Sequence, residues 1–170
     1  MNCILNVAQA YEVFFSLYFR VEILFKTFAA ESDIDVKKLN RLGVKLYNTV
    51  KRYGFNDMRK LFLQHIVKGC SPGNFTEAEM LLSNFPKPQM PTDRAIQAIP
   101  ASKLVPLLMA VKKTKINETR NLVVHKIAYR PTREEADRAY KEAVETLPLL
   151  TNHLNLDDDI NHYNSNRPFS

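Results

Sequence analysis

Glycine is scarce in this chain, with four in 170 residues. An all-β fold needs many tight turns where glycine is favoured, and a phosphate-cradling loop needs several glycines close together, so both are disfavoured. Cysteine is almost as rare. Cys3 and Cys70 are far apart and form no C-x-x-C pair, which argues against a finger- or ribbon-type zinc site. Cys3 lies in an apolar run and Cys70 in an expected loop, so both read as small hydrophobes of a reducing compartment rather than as nucleophiles. Long uncharged apolar runs are also missing. Glu12, Arg20, Glu22 and Lys26 interrupt the hydrophobic N-terminal stretch, leaving no span suited to a bilayer. That stretch lacks a basic leader and a small-residue cleavage site, so the expectation is a cytoplasmic protein without membrane association, and the sequons at Asn74 and Asn117 carry no weight. There is no internal repeat and no sustained two-residue alternation.

What is present is an ordinary globular balance, 45% hydrophobic and 25% charged residues, at a length suited to one domain. Residues 4–30 read as one long helix. Val7, Tyr11, Phe14, Tyr18, Val21, Phe25 and Phe28 recur at steps of four and three on one face, and Phe15, Leu17, Phe19 and Leu24 widen it. Gln9, Glu12, Ser16 and Arg20 occupy the other side. A helix this apolar must be covered on more than one side, by neighbouring helices or a second subunit. Ser32 with Asp35 starts a second helix over 34–53 that Gly54 stops, and Asn56 starts a third over 57–68 that Gly69 stops. Thr76 and Glu79 box a short helix carrying Leu81 and Leu82. Four prolines between 85 and 100 mark a connector with one helical turn after Thr92. The chain is helical again from about Pro106 to Ala128, and Thr132 with Glu135 caps a last long helix that Pro148 should kink or break. The expected architecture is all-α, an antiparallel bundle of four to five main helices. It forms one domain over 1–156, with 70–104 as a proline-rich insertion and 157–170 as a polar, flexible tail.

The formal charge of +6 is concentrated in one place. Lys112, Lys113, Lys115, Arg120, Lys126, Arg130 and Arg133 face a single acid, Glu118, and the rest of the chain is balanced. Such a run is ordinarily a solvated helix face. Here it brackets Arg120, Asn121 and His125. Asn121 and His125 are one helical turn apart on the same face, and the long Arg120 side chain can swing toward them. A permanent cation, an orienting amide and a group titrating near neutrality form a kit for phosphoryl chemistry on RNA. Histidine can take the proton of a ribose 2′-hydroxyl or protonate the leaving 5′-oxygen, and arginine can stabilise the charge that develops on the phosphate. With the nucleophile already in the substrate, neither a metal nor another cofactor is required.

This string sits on a helix near the end of an all-helical chain, followed by a short break and a final amphipathic helix. In that setting it resembles the HEPN superfamily, whose signature is an arginine, commonly followed by a polar residue, with a histidine four to six positions on. The specific part of the resemblance covers residues 115–150; residues 70–104 look like an insertion relative to a compact member. The resemblance implies a helical homodimer in which the arginine and histidine of both subunits line one cleft and cleave RNA without metal. By position, Arg120 and His125 would be catalytic and Asn121 supporting. It further implies a toxin or defence effector, with a cognate antitoxin or a nucleotidyltransferase-like protein as partner. Some members are inactive and act in binding or assembly.

Around this centre, Lys115, Lys126 and Arg130 are candidates to hold the RNA backbone, and Tyr129, one turn beyond His125, either contacts RNA or packs. Glu22 falls inside the aromatic face of the first helix and needs a partner there: an arginine such as Arg120, or solvent. His65 reads as structural. His153 and His162 straddle Asp157, Asp158 and Asp159, but on a flexible tail this is a poor metal site. The alternatives to a nuclease are a non-catalytic helical module that binds nucleic acid or protein, and a structural dimeric adaptor.

Overall fold

The computed structural model describes residues 2–31, 34–69, 71–126 and 128–166. Cys70 and Ser32 lie outside them. The protein is all-helical, and no strand occurs among the described residues. The first helix is continuous from Asn2 to Ala30 but changes character inside. It runs as α1 (Asn2–Phe19), a π-helical segment (Arg20–Phe25) and α2 (Lys26–Ala30). The Lys26 N–H donates five residues back to the Val21 carbonyl, the bond that widens a helix to the π form. Val21, Glu22, Ile23, Leu24 and Phe25 are all buried, so the chain is enclosed on every side here. The partners include α3 (Val36–Val50) and α10 (Leu156–Asn166).

α1 is the spine of the core. Tyr11, Phe15, Tyr18 and Phe19 are fully buried, and Phe14, Phe15 and Tyr18 converge on Phe62 of α4 (Phe55–Lys68), with ring centroids 5.4, 5.4 and 4.8 Å away. These tilted and edge-on pairs are the arrangements aromatic quadrupoles favour. α8 (Ile116–His125) and α9 (Arg133–His153) also pack on α1. The Cys3 thiol lies 3.8 Å from the Ala136 carbonyl, and the Tyr11 hydroxyl donates to Glu142 at 3.1 Å. Positions rising along α1 thus meet positions rising along α9, so these two helices run in the same sense and this pair departs from a strictly antiparallel bundle. Burial, and then the Glu142 charge, push the Tyr11 hydroxyl well above its ordinary pKa.

Several boundaries move from their expected places. Asp35 caps α3, its Oδ1 accepting from the Lys38 N–H at 2.7 Å, but α3 ends at Val50 and Gly54 is the N-cap of α4 rather than a stop. Gly69 does end α4, in the left-handed region at φ 65°. The helix expected from 106 to 128 is two, α7 (Leu104–Lys113) and α8. Buried Arg59 of α4 explains the break, because its Nη1 donates to the Thr114 carbonyl at 2.7 Å and draws that group out of any helical ladder. Pro148 neither breaks nor ends α9. It lies on the exposed side, where a carbonyl lacking its helical donor can turn to water.

Residues 71–104, within the expected proline-rich insertion, contribute helices and core side chains. They contain α5 (Phe75–Ser83), capped by Asn74 and Glu77 rather than by Thr76 and Glu79, and α6 (Asp93–Gln97), capped by Thr92. Phe75, Ala78, Leu82 and Ile96 from this stretch are core residues. The expected flexible tail is helical as far as Asn166. Leu156 is buried, and Tyr163 stacks on Phe25 at 4.0 Å and meets Phe28 edge-on at 5.3 Å. Leu156, Ile160 and Tyr163 form an i, i+4, i+7 stripe, and Asp157, Asp158 and Asp159 suit the positive end of the helix dipole.

Candidate active site

α8 is held by its inner face. Ile116, Asn117 and Val123 are buried, which turns Asn121 and His125 outward into solvent. Arg120 stands between the two faces. Its Nη1 donates to Glu12 Oε1 of α1 at 2.8 Å, with the side chains 34% and 36% exposed. A guanidinium carries five N–H donors, so this bond leaves others for a second acceptor. Glu12 was visible in the sequence only as a polar-face residue. Its signal is that it is one of few acids on an otherwise apolar helix, and such a group attracts a cation from whatever packs alongside.

Glu22 does not meet Arg120. Its carboxylate is buried and takes a hydrogen bond from Lys26 Nζ at 2.5 Å and another from the Ser71 hydroxyl. It lies ten residues beyond Glu12, about 15 Å along the helix axis. The expectation of a required partner is met one turn away, and Glu22 belongs to the π-helical end of the molecule. Its charge adds to burial in raising the Tyr18 hydroxyl, which shares a 2.7 Å hydrogen bond with His65 Nδ1.

The basic run divides on folding. Lys112 pairs with Asp93 and donates to the Pro91 carbonyl at 2.7 Å, tying α7 to α6. Arg133 reaches Asp137 at 3.5 Å on the surface of α9. Lys113, Lys115 and Lys126 are exposed and meet no carboxylate within ion-pair distance among the described residues. Arg130 is exposed and donates to the Tyr129 carbonyl at 3.0 Å. Tyr129 packs: its ring is half-buried and its hydroxyl donates to Glu135 Oε1 at 3.0 Å. Glu135 also completes a capping box with Thr132 at the start of α9. Burial, then Glu135, raise the Tyr129 pKa. The Thr132 N–H, then the Tyr129 hydroxyl, lower that of Glu135. Tyr129 thereby joins the capping box at the start of α9.

Among the described residues, no group of three His, Cys, Asp or Glu side chains is placed to hold a metal ion, and His153 and His162 are exposed. No described helix is long and apolar enough to cross a membrane. The chain matches no protein-family model, no curated protein and no solved structure.

Proposed function

We propose that the protein is a metal-independent endoribonuclease of HEPN type, acting as a homodimer in which Arg120 and His125 of both subunits address one RNA strand. The observation that carries this reading is the presentation of α8: Asn121 and His125 reach solvent one turn apart, Arg120 stands about 100° round the helix from Asn121 with its guanidinium on Glu12, and exposed Lys115 and Lys126 lie at the two ends of the helix. His125 takes the proton of a ribose 2′-hydroxyl. The 2′-oxygen attacks the adjacent phosphorus, the P–O5′ bond breaks, and the 5′-oxygen leaves with a proton supplied by a second acid, for which the partner's histidine is suited. Arg120 neutralises charge on the pentacoordinate phosphate, Asn121 orients it, and the product is a 2′,3′-cyclic phosphate. A role as toxin or defence effector, with an antitoxin or nucleotidyltransferase-like partner in the cytoplasm, belongs to the same proposal.

The test is cleavage of several RNA classes in excess EDTA by wild type, His125→Ala and Arg120→Ala. Wild type should cut and leave the cyclic phosphate, and each variant should lose at least a hundredfold in rate while remaining folded. Intact RNA in every wild-type reaction would end the nuclease reading. The Arg120–Glu12 ion pair favours a second reading, in which Arg120 holds α8 onto α1 and the basic surface binds RNA without cutting it. That reading expects affinity that falls with salt and is indifferent to His125→Ala.

A further inference from the structure

A pocket of about 460 Å³ opens between α1 with its π-helical extension and α3, within the roughly 300–1,000 Å³ range of small-ligand sites. Ser16, Arg20, Tyr47 and Lys51 supply its polar and aromatic groups, Leu24 and Gly43 are part of its wall, and no carboxylate among the described residues lines it. Arg20 and Lys51 meet no acid within ion-pair distance among the described residues. Instead the Arg20 guanidinium lies 5.6 Å from the Phe25 ring centroid, and Lys51 Nζ lies 5.1 Å from that of Tyr47. Cation–π contacts of this kind position a charge without neutralising it. Tyr47 is 67% exposed, so its ring contributes little to the core and leaves a face open to solvent.

Gly43 sharpens the point. Glycine inside a helix costs about 1 kcal/mol relative to alanine. Here a Cβ would meet only Leu24 Cδ2, at an ordinary 3.9 Å, so packing does not demand glycine. The consequence of its missing side chain is room in the pocket. The π-helical segment, a form often found at functional sites, begins at Arg20.

We infer that this pocket holds one nucleoside phosphate unit, with the phosphate between Arg20 and Lys51 and the base against Tyr47. Two unneutralised cations fit a phosphate, and an exposed ring beside them fits a base, because stacking on an aromatic face tolerates any base. The unit is either a free nucleotide or one residue of an RNA strand. The second source rests on the ribonuclease reading. Glu12 and Ser16 of α1 and Arg20 at the start of the π-helical segment follow one another along the helix about 6 Å apart, so a strand leaving Arg120 along this ridge reaches the pocket one to two turns later.

The experiment uses the full chain carrying His125→Ala, so that binding is read without turnover. Adenosine monophosphate is titrated by calorimetry and a fluorescent decaadenylate by anisotropy, at fixed salt. In this background, Tyr47→Ala, the pair Arg20→Gln with Lys51→Gln, and Gly43→Leu, which fills the pocket, should each weaken binding about tenfold or more. Melting temperatures show which variants remain folded. Loss for the mononucleotide marks a free-nucleotide site, and loss for the decaadenylate alone marks a strand subsite. If neither probe binds, or if the Tyr47 and Arg20/Lys51 variants bind both probes within twofold of the parent, the inference is overturned. Cleavage in EDTA by the chain with wild-type His125 is scored separately, so a failed nuclease reading and a failed pocket are distinguishable.

Discussion

Glu12→Gln separates the two roles open to Arg120. The Arg120 guanidinium donates to Glu12 at 2.8 Å with each side chain about one-third exposed. With charge centres about 4 Å apart and an effective dielectric near 20, the attraction is about 4 kcal/mol. Holding two long side chains in one geometry costs roughly 1.5 kcal/mol each. What is left agrees with the 0.2–1 kcal/mol measured for comparable surface pairs, so a double-mutant cycle should return a coupling of about 1 kcal/mol or less. For a chain of this size that is a melting shift of about 2–4 °C. Glu12→Gln and Arg120→Ala should therefore destabilise alike and modestly. Their effects on RNA should differ. Losing a donor to the transition-state phosphate typically lowers kcat a hundredfold or more, which is the expectation for Arg120→Ala. Glu12→Gln keeps the guanidinium and removes an anion near the RNA, so cleavage should hold or rise. The assay pairs thermal melts with cleavage in EDTA for the wild type, both single variants and the double variant. If Glu12→Gln abolishes cleavage as Arg120→Ala does, or the coupling exceeds about 3 kcal/mol, the guanidinium acts as a structural tie and the mechanism is wrong.

Two further outcomes follow from the packing. Tyr163→Ala removes the ring stacked on Phe25 and should cost about 1–2 kcal/mol, seen as a melting shift of several degrees; an unchanged melt would mean that α10 contributes nothing to the folded state. Glu135 has a lowered folded pKa, so its contribution to stability is fully present above its unfolded value near 4.3 and is lost as the pH falls through the folded value. Thr132→Ala removes one side of the capping box, and stability measured by denaturant from neutral pH down to about 3 should then fall less on acidification; a curve parallel to wild type would refute the capping account.

Helical class and the main apolar stripes were legible because burial on α1, α3 and α4 follows the helical period closely: Tyr11, Phe15, Leu42, Leu46, Leu61 and Phe62 are all core residues. The π-helical segment was not legible. Five consecutive buried residues, one of them Glu22, fit no amphipathic template, because the signal there is enclosure by elements distant in sequence. The same holds for the break at Thr114, set by Arg59 more than fifty positions earlier. α10 was missed for a local reason. Its three-residue stripe is diluted by acids and amides that look like tail composition, although the acids sit where a helix start favours them.

The candidate site shows a different limit of linear reading. Spacing alone places Asn121 and His125 on one face, and α8 presents them to solvent. Charge does not transfer so directly. Within the basic run, Lys112, Arg120 and Arg133 pair with carboxylates among the described residues, one of them supplied by α1 from the other end of the chain. Arg20 and Lys51, outside the run, share one pocket and meet no acid within ion-pair distance among the described residues. A run of like charge along the chain is therefore an upper bound on the electrostatic footprint at that point, and the fold decides how much of it survives and where else it reappears. If RNA is the ligand, its path is set by the cations that the fold leaves unneutralised rather than by the basic segment as the sequence writes it.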